Sequence, residues 1–333
     1  MKNILVVRFG TIGDTIFASA FLRELRKVYP DACIDFFADK IAKGVVKNCP
    51  YIDNIIDKRE KLKDIFYYIK VFKQYDRVYF LKNDSFFTNT AALAGIRERI
   101  GFKIHRNKFL NKTAPYTEKK NEIDCYLELL EICGIKPSSN KTEVWINEQD
   151  ENIVKDYLKN ISNKKVIVQA CSRLSYKNWI EAYWVSIIKY LVNEQNMQIF
   201  FAGGASDYSY YDSILKQAGN LKIQPINICG KFSVGESFAF IKNTDMFIGI
   251  DSGLVHAAAA MDIPSILING PTSLERWAPR SKNCTVISMA DKFPCHPCYL
   301  QKGSKKKCRR RTPDCILAIT PEIVINAIEQ KLK

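Results

Sequence analysis

The run Ile248-Gly-Ile-Asp-Ser-Gly-Leu-Val-His-Ala-Ala-Ala-Ala260 passes from an apolar strand, through a Ser252-Gly253 turn, into an alanine-rich helix. Small residues let such a helix lie close to a sheet, and the amides at its start attract anions. The same grammar opens the chain. Asn3 to Phe9 is an apolar run ended by Gly10, and Thr15 to Val28 follows as a helix stopped by Tyr29-Pro30. A strand, a glycine turn and a helix, met at the start of the chain and again at residues 248–260, predict an α/β protein with parallel sheets.

Working outward, Cys33–Ala38 and Arg77–Leu81 read as further strands of a first series, with helical periodicity over Lys58–Gln74. Punctuation at Gly134, Pro137 and the polar cluster up to Lys141 separates it from a second series. There Lys165–Gln169, Gln198–Ala202, Met246–Ile250 and Ser265–Ile268 read as strands, after a short one at Glu143–Ile146. Tyr183–Asn193, Ser233–Lys242, Leu254–Met261 and Pro321–Leu332 read as helices. The expected architecture is two Rossmann-like, doubly wound domains facing one another across a cleft, residues 1–150 and 151–333.

The 333 residues suffice for two such cores. The N-terminus enters a strand at once, unlike a signal peptide, and no apolar stretch approaches the roughly 18 residues of a membrane helix, so a cytoplasmic protein is expected. A net charge of +15 suits nucleic acid, an anionic membrane face or a phosphorylated substrate, and follows in part from a lysine-rich composition. No nucleic-acid-binding signature is visible, so a basic nucleic-acid-binding protein is the alternative from another class and no specific nucleic acid is expected as partner.

Three loops carry the candidate chemistry. In Gly10-Thr-Ile-Gly-Asp14 the glycines leave room for a ligand at a helix N-terminus, while Asp14 stands where an N-cap would. The spacing is not the dinucleotide GxGxxG. In Ser172-Arg-Leu-Ser-Tyr-Lys177 the hydroxyl of Ser172 and the charge of Lys177 suit a diphosphate, or simply form a basic loop. In the opening run Asp251 can receive sugar hydroxyls, and His256, one turn into the helix, is either a ligand or a structural histidine.

Gly13-Asp14, Lys177 with Trp179, Gly203-Gly204, Gly230-Lys231, Asp251-Ser-Gly-x-x-His256 and Gly270-Pro-Thr272 with Trp277-x-Pro279 occur in an order that resembles glycosyltransferase family nine, which includes the ADP-heptose:lipopolysaccharide heptosyltransferases. The resemblance implies a GT-B fold and an inverting, metal-independent transfer of heptose, or a related sugar, from an ADP-sugar or another sugar nucleotide. The implied acceptor is a lipopolysaccharide core, or alternatively a protein such as a surface autotransporter. It further implies Asp14 as general base and Lys177 as a second catalytic group. Gly13, Ser172, Lys177, Gly203, Gly204, Asp251, Ser252, Gly253 and His256 are the implied donor site. Gln169-Ala-Cys-Ser172 departs from the family pattern, which often has glycine in that loop, and the acidic residue expected after Gly204 can only be Asp207.

Basic groups at Arg59, Lys61, Lys63, Arg97, Arg99, Lys103 and Arg106 would favour a phosphorylated acceptor in the first domain, or are solvated faces. Cys295, Cys298, Cys308 and Cys315 form a thiol cluster in a basic loop, residues 295–315. Its readings are a structural zinc or iron, as in some relatives that glycosylate proteins, a disulfide, or unliganded cysteines. No cofactor is expected in the chemistry itself. The basic run from Lys302 to Arg311 could balance thiolate charge or make peripheral contact with an anionic inner membrane.

Overall fold

The apolar runs do become parallel strands, and each series forms its own sheet. The computed structural model describes residues 3–104, 108–172, 174–298, 308, 310 and 312–333. The chain divides between Trp145 and Ile146.

In the first unit the strands are β1 (Asn3–Val7), β2 (Cys33–Ala38), β3 (Asn54–Asp57), β4 (Arg77–Phe80), β5 (Glu98–Lys103) and β6 (Lys112–Pro115). They form one parallel sheet in the order β3-β2-β1-β4-β5-β6. Helices α1 (Ile12–Val28), α2 (Lys40–Val46), α3 (Ile65–Phe72), α4 (Ser85–Leu93) and α5 (Glu122–Glu131) alternate with the strands. Ile4 to Val7 are fully buried, as a strand covered on both faces must be, which is why the sequence shows a continuous apolar run there and no alternation.

The second unit has β7 (Lys165–Gln169), β8 (Gln198–Phe201), β9 (Ile226–Asn227), β10 (Met246–Ile250), β11 (Ser265–Asn269) and β12 (Cys284–Ser288). Its parallel order is β12-β11-β10-β7-β8-β9. Its helices are α6 (Glu148–Leu158), α7 (Glu181–Lys189), α8 (Tyr208–Ala218), α9 (Val234–Lys242), α10 (Gly253–Ala260), α11 (Leu274–Trp277), α12 (Asp314–Leu317) and α13 (Pro321–Leu332).

Counted from its own start, each unit places its first strand between its second and its fourth. This is the doubly wound Rossmann order, and its property matters for function. Consecutive connections leave the first strand in opposite directions, so a crevice opens beyond the carboxyl ends of the first and fourth strands. In the first unit those are β1 and β4; in the second, β7 and β10.

Some local expectations are corrected. The helix expected over Lys58–Gln74 is confined to Ile65–Phe72, because the hydroxyl of Tyr68 holds the Arg59 backbone in a turn, donating to its carbonyl at 2.6 Å and accepting from its N–H at 2.7 Å. Glu143–Ile146 is not a strand. There the Arg23 guanidinium holds the Glu143 carboxylate at 2.6 Å, and Ser19 Oγ takes the Glu143 N–H at 2.8 Å. The helix after Tyr183 starts earlier, at Glu181, and ends in a π-turn over Tyr190–Glu194.

Candidate active site

At the first switch point, α1 starts three residues earlier than the sequence implies, and its N-cap is Thr11, not Asp14. Thr11 Oγ1 accepts the Asp14 N–H at 3.4 Å and donates to Asp14 Oδ2 at 2.7 Å. Freed from the cap, the Asp14 carboxylate is held on its other side by Arg8, whose Nη2 lies 2.7 Å from Oδ2. Arg8 is buried, and its Nε donates to Tyr126 Oη on α5 at 2.8 Å. Burial opposes its charge, but Tyr126, Asp14 and Glu122 outweigh that and raise its pKa, so the guanidinium stays charged. Lys82, just beyond β4, donates to the Phe9 carbonyl at 3.1 Å, and its Nζ lies 3.2 Å from where a Cβ on Gly10 would stand. Gly10 has φ +128°, so a side chain there would be strained as well as crowded. Burial, then the Arg8 charge, lower the Lys82 pKa.

Arg8, Lys82 and Tyr126 are neighbours at this switch point that the sequence reading missed. A charged residue inside the apolar run Ile4–Phe9 was the available signal for Arg8; Lys82, the first polar residue after the buried β4, gave a weaker one.

The second switch point joins two loops that the sequence treats separately. Lys177, in a single 3-10 turn, places Nζ 2.7 Å from Asp251 Oδ2, and His256 Nε2 lies 3.7 Å from Oδ1. Asp251 and His256 are buried. Burial by itself would raise the Asp251 pKa, but Lys177 and His256 outweigh it and hold the carboxyl below the usual range. An anion-attracting helix start, a lysine and a histidine thus converge where the crevice opens.

Other predicted donor residues are placed as follows. Ser172 Oγ donates to the Leu174 carbonyl at 3.1 Å and accepts the Leu174 N–H at 3.2 Å, so its hydroxyl shapes its own loop. Ser252 Oγ donates to the Gln169 side chain. The Gly204 N–H donates to Asp207 Oδ2 at 2.9 Å. A Cβ on Gly203 would stand 2.6 Å from the same oxygen, so the Gly203-Gly204 turn exists because Asp207 closes over it. A small cavity lies beside that turn, lined by Ala202, Gly203, Ile228, Phe232, Phe240 and Leu254 among others. Gly13 is buried in the first turn of α1, in the first unit; Gly253 opens α10.

The basic groups of the first unit divide by strand end. Arg59 follows β3 and stacks on the Tyr67 ring at 3.7 Å, Lys61 pairs with Asp84 at 2.7 Å, and Lys103 ends β5. These lie towards the carboxyl edge that carries Asp14. Arg97 and Arg99 sit at the opposite end of β5, where Arg99 Nε donates to the Phe109 carbonyl at 2.6 Å. Arg106 lies outside the described residues.

The four loop cysteines are neighbours. Burial pushes the Cys315 thiol up to about 11, followed by Cys298, Cys308 and Cys295. Cys308 Sγ lies 3.1 Å from the Thr312 carbonyl oxygen. Among the described residues, no three His, Cys, Asp or Glu side chains are placed to share a metal ion. Of the basic run from Lys302 to Arg311, only Cys308 and Arg310 are among the described residues.

Two doubly wound units with charged groups at both switch points define a two-unit α/β class of Rossmann order, and comparison makes it specific. The sequence pattern of Glycosyltransferase family 9 (heptosyltransferase) matches residues 71–309, and the chain belongs to that family. It is 24% identical to lipopolysaccharide heptosyltransferase 1 of Campylobacter coli, over 98% of both chains. The fold is similar to that of the family 9 glycosyltransferase of Veillonella parvula DSM 2008, with TM-score 0.86 and 21% identity over 99% of this chain and 97% of the other. It is also similar to E. coli ADP-heptose lipopolysaccharide heptosyltransferase II, with TM-score 0.79 and 20% identity over 100% and 98%. The GT-B fold expected from the motifs is therefore the fold of the chain. Among the described residues, no helix is long and apolar enough to cross a membrane.

Proposed function

We propose that this glycosyltransferase moves heptose from ADP-heptose to a lipopolysaccharide core acceptor, with inversion and with Asp14 as general base. The observation that carries the reading is the placement of Asp14 at the first switch point, gripped by Arg8 and Thr11 on the same carboxylate oxygen, Oδ2. Its Oδ1 is left for a substrate hydroxyl. The acceptor oxygen attacks the anomeric carbon as the bond from that carbon to the diphosphate oxygen breaks, and the acceptor proton passes to Asp14. Charge builds on the leaving diphosphate, which Lys177 and the start of α10 meet. The ion pair with Asp251, at 2.7 Å, aims Lys177.

The names of the relatives supply the sugar and the acceptor; the residues supply the mechanism. Nucleoside diphosphate release, measured over a panel of sugar nucleotides with deacylated core acceptors, tests it. ADP-heptose should turn over fastest, with the anomeric configuration inverted in the product. A faster donor would replace the proposed one, and retention of configuration would remove the single-displacement step.

The cysteine cluster stands apart from this chemistry. Its thiolates are chemically suited to zinc or iron, but their sulfurs would have to close to about 2.3 Å from a shared zinc ion. A structural metal there is a proposal that metal analysis of the purified chain decides. About one zinc or iron per chain, lost in Cys298→Ser, supports it; a metal-free chain with unchanged stability rejects it.

A further inference from the structure

Helix α3 buries Tyr68 and Phe72 in the core of the first unit, against Phe37 and Phe87. Its outward line is unusual. Phe66 is 83% exposed, and Leu62, in the turn four residues before it, is 80% exposed. Lys70 and Lys73 continue the same spacing and are exposed, as is Lys63 beside Leu62. Residues 58–73 carry six cations, Lys58, Arg59, Lys61, Lys63, Lys70 and Lys73, against the two acids Glu60 and Asp64.

Leu62 is held outward by the structure around it. Tyr68 grips both backbone groups of Arg59, and Lys61 is drawn to Asp84 at the start of α4. These anchors bracket the turn that carries Leu62. The surface thus offers two large apolar side chains among lysines whose stems can lie along an apolar layer while their charges meet anions.

We infer that the Leu62–Phe66 line, with Lys63, Lys70 and Lys73, docks the protein on an anionic lipid bilayer. Charge complementarity selects this occupant. Apolar side chains that enter the headgroup boundary beside several lysines match a surface that is apolar below and negative above. Position agrees, because the turn follows β3 and so stands at the carboxyl edge of the sheet that carries Asp14. This deepens the proposed function by giving a lipid-linked acceptor a place to be met, and it rests on that reading only for its purpose.

The test is co-sedimentation of the full chain with vesicles of phosphatidylethanolamine and phosphatidylglycerol, beside vesicles of phosphatidylcholine alone. The expected result is binding to the anionic vesicles that weakens as salt rises. The Leu62→Asp/Phe66→Asp variant should lose at least about tenfold in that affinity, since both positions are too exposed to matter for folding. Lys63→Glu/Lys70→Glu/Lys73→Glu should lose the preference for anionic vesicles. Equal binding by the wild type and the apolar variant would overturn the inference, as would wild-type indifference to lipid charge. A wild-type dimer that the apolar variant splits would mark the line as a protein interface and overturn it too. Turnover of a water-soluble acceptor by the apolar variant, unchanged from wild type, separates docking from chemistry. Loss of all turnover in both proteins would sink the proposed function and leave the vesicle result standing.

Discussion

Asp14 and Asp251 show how one residue type is held in two different surroundings. Asp14 is partly exposed, and its cationic partner Arg8 is itself shared with Tyr126. Asp251 is buried between Lys177 and His256 and is held ionised. The first arrangement engages only Oδ2, as the proposed general base requires; the second fixes a charge. Lys177→Met should therefore do two things. It removes the main cation from a buried carboxylate, which costs on the order of 3 kcal/mol of stability, and it removes a charge from the leaving group. A lower melting temperature together with a clear fall in kcat is expected, with Lys177→Arg recovering most of the stability. Unchanged kcat in a well-folded Lys177→Met would remove the lysine from the mechanism. The pair itself was not legible in the sequence, because Lys177 and Asp251 are 74 residues apart and only the sheet order makes them neighbours. His256 and Asp251 were legible together, being one helical turn apart.

At the scale of elements, the long strands and amphipathic helices were readable because burial writes itself as apolar runs. Those that escaped are short, such as β9 with two residues, or polar, such as β3 with Asn54 and Asp57 at its ends. Edge strands carry little apolar signal, since one side of each lacks a partner strand. The segment after α5 was misread for another reason: side chains from α1 override its local preference. Arg23 Nη1 donates to the Lys141 carbonyl at 2.7 Å and Nη2 to the Ser139 carbonyl at 3.0 Å. Glu24 Oε2 accepts the Ser138 N–H at 2.8 Å and the Ser138 hydroxyl at 2.9 Å, and Lys27 reaches its Oε1 at 2.8 Å. Burial alone would raise the Glu24 pKa, but Lys27, Ser138 and Arg23 lower it from 4.5 to about 2. A carboxyl with a depressed folded-state pKa stabilises fully above its unfolded value and loses that contribution as pH falls through the folded one. Melting temperature should thus drop between about pH 4.5 and pH 2, and Glu24→Gln should flatten part of that drop. A variant with the wild-type slope would show that Glu24 does not tie α1 to residues 138–143.

Over the whole molecule, one topology is used twice, and each copy carries charged groups at its switch point. The first unit presents a carboxylate at its switch point and the second a lysine, a histidine and a helix start. Neither loop alone specifies the family; the ordered motifs do. The charge of +15 was the least informative global property, because lysines and arginines are found at every scale of use. Arg8 orders a catalytic candidate, Arg99 binds backbone, and Lys70 faces solvent.

The most direct test of the central claim compares wild type with Asp14→Asn, which keeps the size of the side chain and its bond from Thr11. Release of ADP from ADP-heptose in the presence of a core acceptor would be measured beside equilibrium binding of the donor. Loss of a positioned base predicts a fall in kcat of about 10²- to 10⁴-fold, with donor binding preserved. Turnover within a few-fold of wild type would contradict the account and place the base elsewhere.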